Sequence, residues 1–308
     1  MTTLTSPTSP SSAFVQDVEQ TLARVGADGW VHARRVGGTS AEQLGFGAET
    51  AVYTASVFKT AVLVELYRQV DAGLVDPSER ATVTCHNRVM GPLGLSVMVD
   101  DVQMSLRDLA TLMMSVSDNT ATDILLERLG IERVNTSLHD LGLGSTALGV
   151  PCAAMLDAII AELTQRGCTS MEDVLARGPE ISRGLRSLDP AEQAHSTPRE
   201  ITRLLELIWT DRVASPTSCA EIRRIMSSQA RPNQLRAAVP DGVAYAGKTG
   251  SVMCIRNEAG VYTFPDGSSF ALAVFTRVPG MQERRPDVEQ AITDIGVAAL
   301  RALGAPGF

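Results

Sequence analysis

The sequence predicts an α/β fold of the α+β kind. An antiparallel sheet formed by both ends of the chain is flanked by helices, with an all-helical block inserted beside it. Strand-like segments gather near the N-terminus and again after residue 240. Helical periodicity fills the stretch between them, and the last segment returns to helix. With 308 residues, 44% of them apolar, the chain can bury a sizeable core without staples. No internal repeat or linker is visible. One domain is therefore expected over residues 13–308, its α/β part from 13–55 and 200–308 and its helical part from 56–199.

Residues 1–12, MTTLTSPTSPSS, are Ser/Thr/Pro-rich and poor in apolar residues, so a disordered tail is expected there. The first basic residue is Arg24 and no apolar run precedes it, unlike a secretory leader. No apolar stretch reaches the roughly 18 residues that span a bilayer. A cytoplasmic protein is the expectation. Phe14 to Val25 reads as an amphipathic helix, Gly29 to Val36 as a strand, and Thr50 to Ala55 as a second, short strand. Ser56 opens a long apolar helix ended by Gly73. Ser105 to Val116 and Thr120 to Leu129 read as helices around the short break Ser117-Asp118-Asn119, with another helix over Ile131 to Leu141. Helices follow over 153–166 and 198–209, the latter with Pro198 as a first helical residue after Ser196-Thr197. Gly242 to Lys248, Val252 to Phe264 and Phe270 to Val278 read as antiparallel strands, with Asp266-Gly267 as the hairpin turn between the last two. Pro286 to Leu303 closes the chain as a helix.

The charge balance, 35 acidic against 27 basic residues, argues against nucleic acid and against an anionic membrane as partners. A small-molecule substrate is expected instead. Cys85, Cys152, Cys168, Cys219 and Cys254 are odd in number and widely spaced, without CxxC. With four scattered histidines they make neither a disulfide framework nor a zinc site, and no metal or organic cofactor is expected. Among the basic residues only two are lysine, Lys59 and Lys248.

Both lysines fall in short motifs. Ser56-Val57-Phe58-Lys59 opens a helix, where positions i and i+3 share a face and bring the Lys59 amine toward the Ser56 hydroxyl. A serine needs a base to become nucleophilic, and a buried lysine of lowered pKa can be that base. Ser117-Asp118-Asn119 places a hydroxyl able to relay a proton and an amide able to hold a substrate amide, although Ser and Asp also serve as ordinary caps. Lys248-Thr249-Gly250 sets a cation and a hydroxyl on one strand, suited to a carboxylate, with glycine allowing close approach. Each motif alone is weak, since a serine three residues before a lysine is common.

In order, with SDN 61 residues after S-x-x-K and KTG a further 131 residues on, the three resemble the signature of class A β-lactamases and penicillin-binding proteins. MSLRDLATLMMSVSDNTATDILLERLG and STPREITRLLELI are similar to helices of that family, and the likeness covers roughly residues 14–305. It implies the β-lactamase/transpeptidase-like fold and an acyl-enzyme on Ser56. Lys59 is then its proton partner and Ser117 the proton shuttle to the leaving nitrogen. Asn119, Lys248, Thr249, Gly250 and Ser251 fall to the substrate, and the backbone N–H groups of Ser56 and Ser251 form the oxyanion hole. Arg256 or Asn257, on the paired strand, would help hold a carboxylate.

One part of the pattern is missing. Family members hydrolyse the acyl-enzyme with a water activated by the glutamate of a Glu-x-x-x-Asn loop. No asparagine occurs here between Asn135 and Asn233. Gly178-Pro179-Glu180-Ile181-Ser182 is the nearest echo, in a loop region with an added helix near 155–166. Glu162, Glu172, Glu180 and Glu192 are conceivable substitutes, as is His195, although each also reads as an ordinary surface or loop residue. A serine hydrolase that is inefficient on β-lactams is therefore expected. An acyltransferase, peptidase or esterase of cytoplasmic metabolism and a β-lactam-binding sensor are the alternatives.

Overall fold

The computed structural model describes residues 10–182, 184–191, 193–281 and 285–308. The N-terminal residues 1–9 of the expected tail and Glu192 lie outside them. Helix α1 (Pro10–Val25) begins earlier than the amphipathic pattern from Phe14 indicates. Strands β1 (Asp28–Arg35) and β2 (Gln43–Phe46) follow, then the two-residue β3 (Val52–Tyr53) and a 3₁₀ turn, Ala55–Phe58, that runs into α2 (Lys59–Asp71). The hairpin of β4 (Arg80–Val83) and β5 (Val102–Ser105) precedes α3 (Leu106–Ser115), α4 (Asn119–Leu129) and α5 (Ile131–Asp140). Next come α6 (Cys152–Gln165), α7 (Met171–Ala176), α8 (Gly178–Ser182), β6 (His195–Ser196), α9 (Pro198–Trp209) and α10 (Pro216–Ser227). The chain ends in β7 (Ala244–Val252), β8 (Ile255–Thr263), β9 (Ser269–Arg277) and α11 (Pro286–Ala302).

The main sheet has the order β2-β1-β9-β8-β7, antiparallel throughout. It joins the N-terminal strands to the C-terminal ones, as the distribution of strand-like segments predicts. Strand β9 shows why this sheet is a central layer. Phe270, Leu272 and Val274 face one cluster and Ala271, Ala273 and Phe275 the other, all buried. The period-2 alternation is apolar on both sides because both faces are covered. On the first face lie α1, through Phe14, Val18 and Leu22, and α11, through Val288, Ile292 and Ile295. Against the second pack α9, through Ile201, Leu204 and Leu205, and the helical block around α2.

Local chemistry fixes the ends. Thr197 accepts a hydrogen bond from Glu200 N and Pro198 occupies the first turn of α9, a cap worth about 1 kcal/mol. At the β8–β9 turn Gly267 takes φ +86°, a left-handed value that glycine meets at no steric cost. The expected strand at residues 50–55 shrinks to β3, which pairs with β6 outside the main sheet.

Candidate active site

The 3₁₀ turn carrying Ser56 abuts the edge strand β7. Gly250 makes that approach possible: a Cβ there would lie 2.7 Å from Thr54 O and 3.1 Å from Ser56 N. From β8, Asn257 locks the same segment. Its Nδ2 donates to Tyr53 O (3.0 Å) and Thr54 O (3.2 Å), while its Oδ1 accepts from Thr276 N. Ala55, just before Ser56, sits at φ +45°, and Ser117 at φ +60°. Such non-glycine left-handed residues cost free energy and persist where surrounding structure holds them.

Lys59, the first residue of α2, is fully buried. Its Nζ donates to Ser117 O (2.7 Å), Asn119 Oδ1 (2.8 Å) and Ser117 Oγ (3.3 Å). Among the described residues the Ser56 side chain makes no hydrogen bond. Burial lowers the Lys59 pKa, opposed by the nearby Asp118 and Asp123 carboxylates. Asn119 is oriented at its other end, with Nδ2 donating to Met90 O at 3.0 Å. Asp118 also caps α4 through Ala121 N and accepts from Leu95 N.

A cleft of about 110 Å³ opens above Lys59, with Ser56, Ser117, Asn119 and Ser251 in its wall. Phe58, Pro92, Val116, Met155 and Leu156 supply apolar surface. Two lining residues escape the sequence reading, Cys152 and Arg231. Cys152 opens α6, whose first N–H groups, those of Cys152 and Ala153, are capped by the Asp123 carboxylate at 2.7 and 2.8 Å. Burial pushes the Cys152 thiol up to about 12, which keeps it neutral. All five cysteines are free thiols.

The KTG strand stands behind the cleft. Lys248 and Thr249 are buried, and Lys248 Nζ donates to Thr249 O at 2.8 Å. Burial, then the charges of Lys59 and Arg231, hold the Lys248 pKa well below that of a free lysine, against the opposing pull of Glu258. Glu258 faces Thr249 across the β7–β8 ladder and accepts from Tyr245 Oη and Leu235 N. Burial pushes its carboxyl up to about 8.

Arg256 is 5% exposed and does not line the cleft. Its Nη1 donates to Met253 O and Ile255 O. Glu180, on α8, is exposed, ion-paired with Arg177 at 3.0 Å, and outside the cleft wall. Glu162 is spent on Arg166 and on the backbone of Arg186 and Ser187, which together with it hold the carboxyl at about 2 despite partial burial. His195 lies on β6 opposite Tyr53, not in a loop, with Nδ1 at 2.9 Å from Gln193 O. Among the described residues, the cleft wall contains no Asp or Glu.

The profile of the beta-lactamase enzyme family matches residues 13–303. The chain belongs to that family. Among family relatives, the beta-lactamase regulatory protein BlaB of Streptomyces cacaoi is 27% identical over 271 residues, covering 82% of this chain and 86% of that one. The crystal structure of a beta-lactamase from Sphaerobacter thermophilus superposes with a TM-score of 0.77 at 25% identity, covering 95% of this chain and 97% of the other. PBP-A, solved as a variant in an acyl-enzyme complex with penicillin G, shares the fold at 22% identity. Its TM-score is 0.76, with 97% and 99% coverage. The α+β architecture of the family is thus the architecture of this chain.

Proposed function

We propose that Ser56 attacks the carbonyl of a lactam, amide or ester on a small carboxylate-bearing substrate, and that the resulting acyl-enzyme is released slowly. The observation that carries this reading is the cleft itself. It gathers Ser56, Ser117, Asn119 and Ser251 around the buried Lys59, with no carboxylate among its described lining residues. In its neutral form Lys59 takes the Ser56 proton as Oγ bonds to the carbonyl carbon. Protonated Lys59 gives that proton to Ser117 Oγ, 3.3 Å from its Nζ, as Ser117 gives its own to the leaving nitrogen or oxygen whose bond to carbon breaks. The N–H groups of Ser56 and Ser251 receive the developing oxyanion; one such donor is typically worth ~3 kcal/mol. Ser56 lies in the first turn of its helical segment, where N–H groups have no intrahelical acceptor.

Release needs a water deprotonated near the ester. Cys152, neutral, with Met155 and Leu156 beside it, offers that water no base. A long-lived adduct suits a ligand sensor as well as a slow hydrolase. The likeness to a regulatory protein over most of both chains favours the sensor reading as the second one. Stopped-flow mixing with a chromogenic cephalosporin tests the proposal. A burst of one equivalent followed by a slow steady state is expected, while a linear progress curve with rapid turnover contradicts slow release.

A further inference from the structure

Glu258 is a buried carboxyl that the proton transfers above do not use, and it does not line the cleft. In the β7–β8 ladder it lies opposite Thr249, on the face of the sheet that packs with α1 and α11. Lys248 projects to the other face, toward the helical block. An apolar side chain would be cheaper to bury at 258, yet the surroundings are shaped for a carboxylate. Gly247 and Gly260 pair across the ladder, and a Cβ on either would collide with the Tyr245 hydroxyl. The slot they leave lets Tyr245 Oη donate to Glu258 Oε1 at 2.8 Å. Leu235 N, in the 3₁₀ turn Gln234–Ala238, donates to Oε2 at 2.7 Å. Gln229 completes the set. With its amide oriented by these neighbours, Nε2 donates to Glu258 Oε1 at 3.2 Å. Its own Oε1 accepts from Thr249 N and Lys248 N at 3.1 and 3.3 Å. Strand β7 is at the sheet edge, where outward N–H groups have no strand partner, and Gln229 supplies the acceptor.

We propose that Glu258 and Gln229 are positioning residues for acylation: together they fix the Lys248-Thr249 backbone behind the cleft, and the Glu258 carboxylate balances the Lys248 ammonium. Lys59 and Arg231 both act to strip the Lys248 proton, and Glu258 opposes them. The titratable and charged groups around the pair are Lys59 on α2, Cys152 on α6, Arg231 and Arg236 between α10 and β7, Tyr245 on β7 and Tyr262 on β8. Helix α11 meets this corner with Gly296, beside Leu235 and the Tyr262 hydroxyl. The inference rests on Ser56 being the acylated residue, and its test separates the two ideas.

Wild type, Glu258→Gln, Glu258→Asp and Gln229→Ala are compared, each checked for folding by circular dichroism. Amide exchange at Lys248 and Thr249 is read by NMR without substrate. Single-turnover acylation by benzylpenicillin is followed by intact mass across the acid and alkaline limbs of its pH profile. Gln229→Ala should speed exchange at both amides by about tenfold and slow acylation by a similar factor at every pH. Glu258→Gln keeps the size of the side chain and removes its charge, so Lys248 gives up its proton at lower pH. The alkaline limb should then move down by about half a pH unit or more, while the acid limb, set by Lys59, stays in place. Glu258→Asp should return the alkaline limb toward its wild-type position even where acylation is slower. An alkaline limb that does not move in Glu258→Gln, or exchange and acylation unchanged in Gln229→Ala, overturns the positioning role and leaves Ser56 acylation standing. Exchange that depends on residues 229 and 258 in a protein that never forms an adduct sinks the nucleophile assignment and leaves the brace on Lys248-Thr249 standing.

Discussion

The Lys59 ammonium is held among three oxygen acceptors, Ser117 O, Ser117 Oγ and Asn119 Oδ1, beneath the cleft floor. Burial favours its neutral form, and a neutral amine is what proton transfer from Ser56 requires. Arginine keeps its proton at any ordinary pH and has a broad planar head. Lys59→Arg is therefore expected to lower the acylation rate by roughly 10²-fold or more while Ser117 and Asn119 remain in place, as measured by adduct formation over time. Retention of the wild-type rate would remove lysine from the mechanism. In a chain of 25 arginines the placement of both lysines in motifs was legible from the sequence alone. Cys152 and Arg231 were not, because neither belongs to a motif and each reaches the cleft only through folding. Cys152 arrives by the Asp123 cap on α6, and Arg231 on a segment without regular structure.

At the scale of elements, the site depends on how β7 and β8 press on the turn before α2. Asn257 is the pin. Asn257→Ala removes the side-chain donor to Tyr53 O and Thr54 O and the acceptor of the Thr276 N–H, while Thr54 O keeps the Val57 N–H; the expected loss is roughly 1 to 3 kcal/mol in unfolding free energy by denaturant titration. Acylation should slow with it as the Ser56 turn loosens. Helix α6 carries the second prediction. Cys152→Glu puts a carboxylate in the cleft wall, able to take a proton from an attacking water. Adduct lifetime should shorten by about tenfold or more, and an unchanged lifetime would show that the residue at 152 does not limit release. The long strands and α9 were legible because their patterns run eight residues or more. The four-residue strands β2, β4 and β5 carry too few residues to set a period. Helix α10 was missed although Ser215-Pro216 announces it as Thr197-Pro198 announces α9.

Across the whole molecule, two buried titratable groups set opposing pH limits. His32, on β1, is held at about 3 by burial and by the Arg199 and Arg34 charges. The unfolded chain binds a proton there below about 6.5, so stability falls as pH drops from 6.5 toward 3. Glu258 is raised to about 8 by burial. The folded state holds its proton more tightly than the unfolded chain, so stability falls as pH rises from 4.5 toward 8. Glu258→Gln should flatten the alkaline limb of a plot of unfolding free energy against pH and leave the acid limb unchanged. A limb that keeps its slope would assign it to another group. The two-ended sheet was readable from strand placement at both termini. The assembly of Thr249, Glu258, Tyr245 and Leu235 was not, since it depends on strand register and on one loop folding back over β8.

The expectations for acylation and adduct lifetime presuppose a covalent bond to Ser56. The most direct measurement is intact-mass spectrometry after mixing with benzylpenicillin, followed by peptide mapping, on wild type and Ser56→Ala. The account predicts a mass increase of one penicillin on wild type that outlasts minutes, mapped to the peptide containing Ser56, and no increase on Ser56→Ala. No adduct on wild type, or the same adduct on Ser56→Ala, would contradict it.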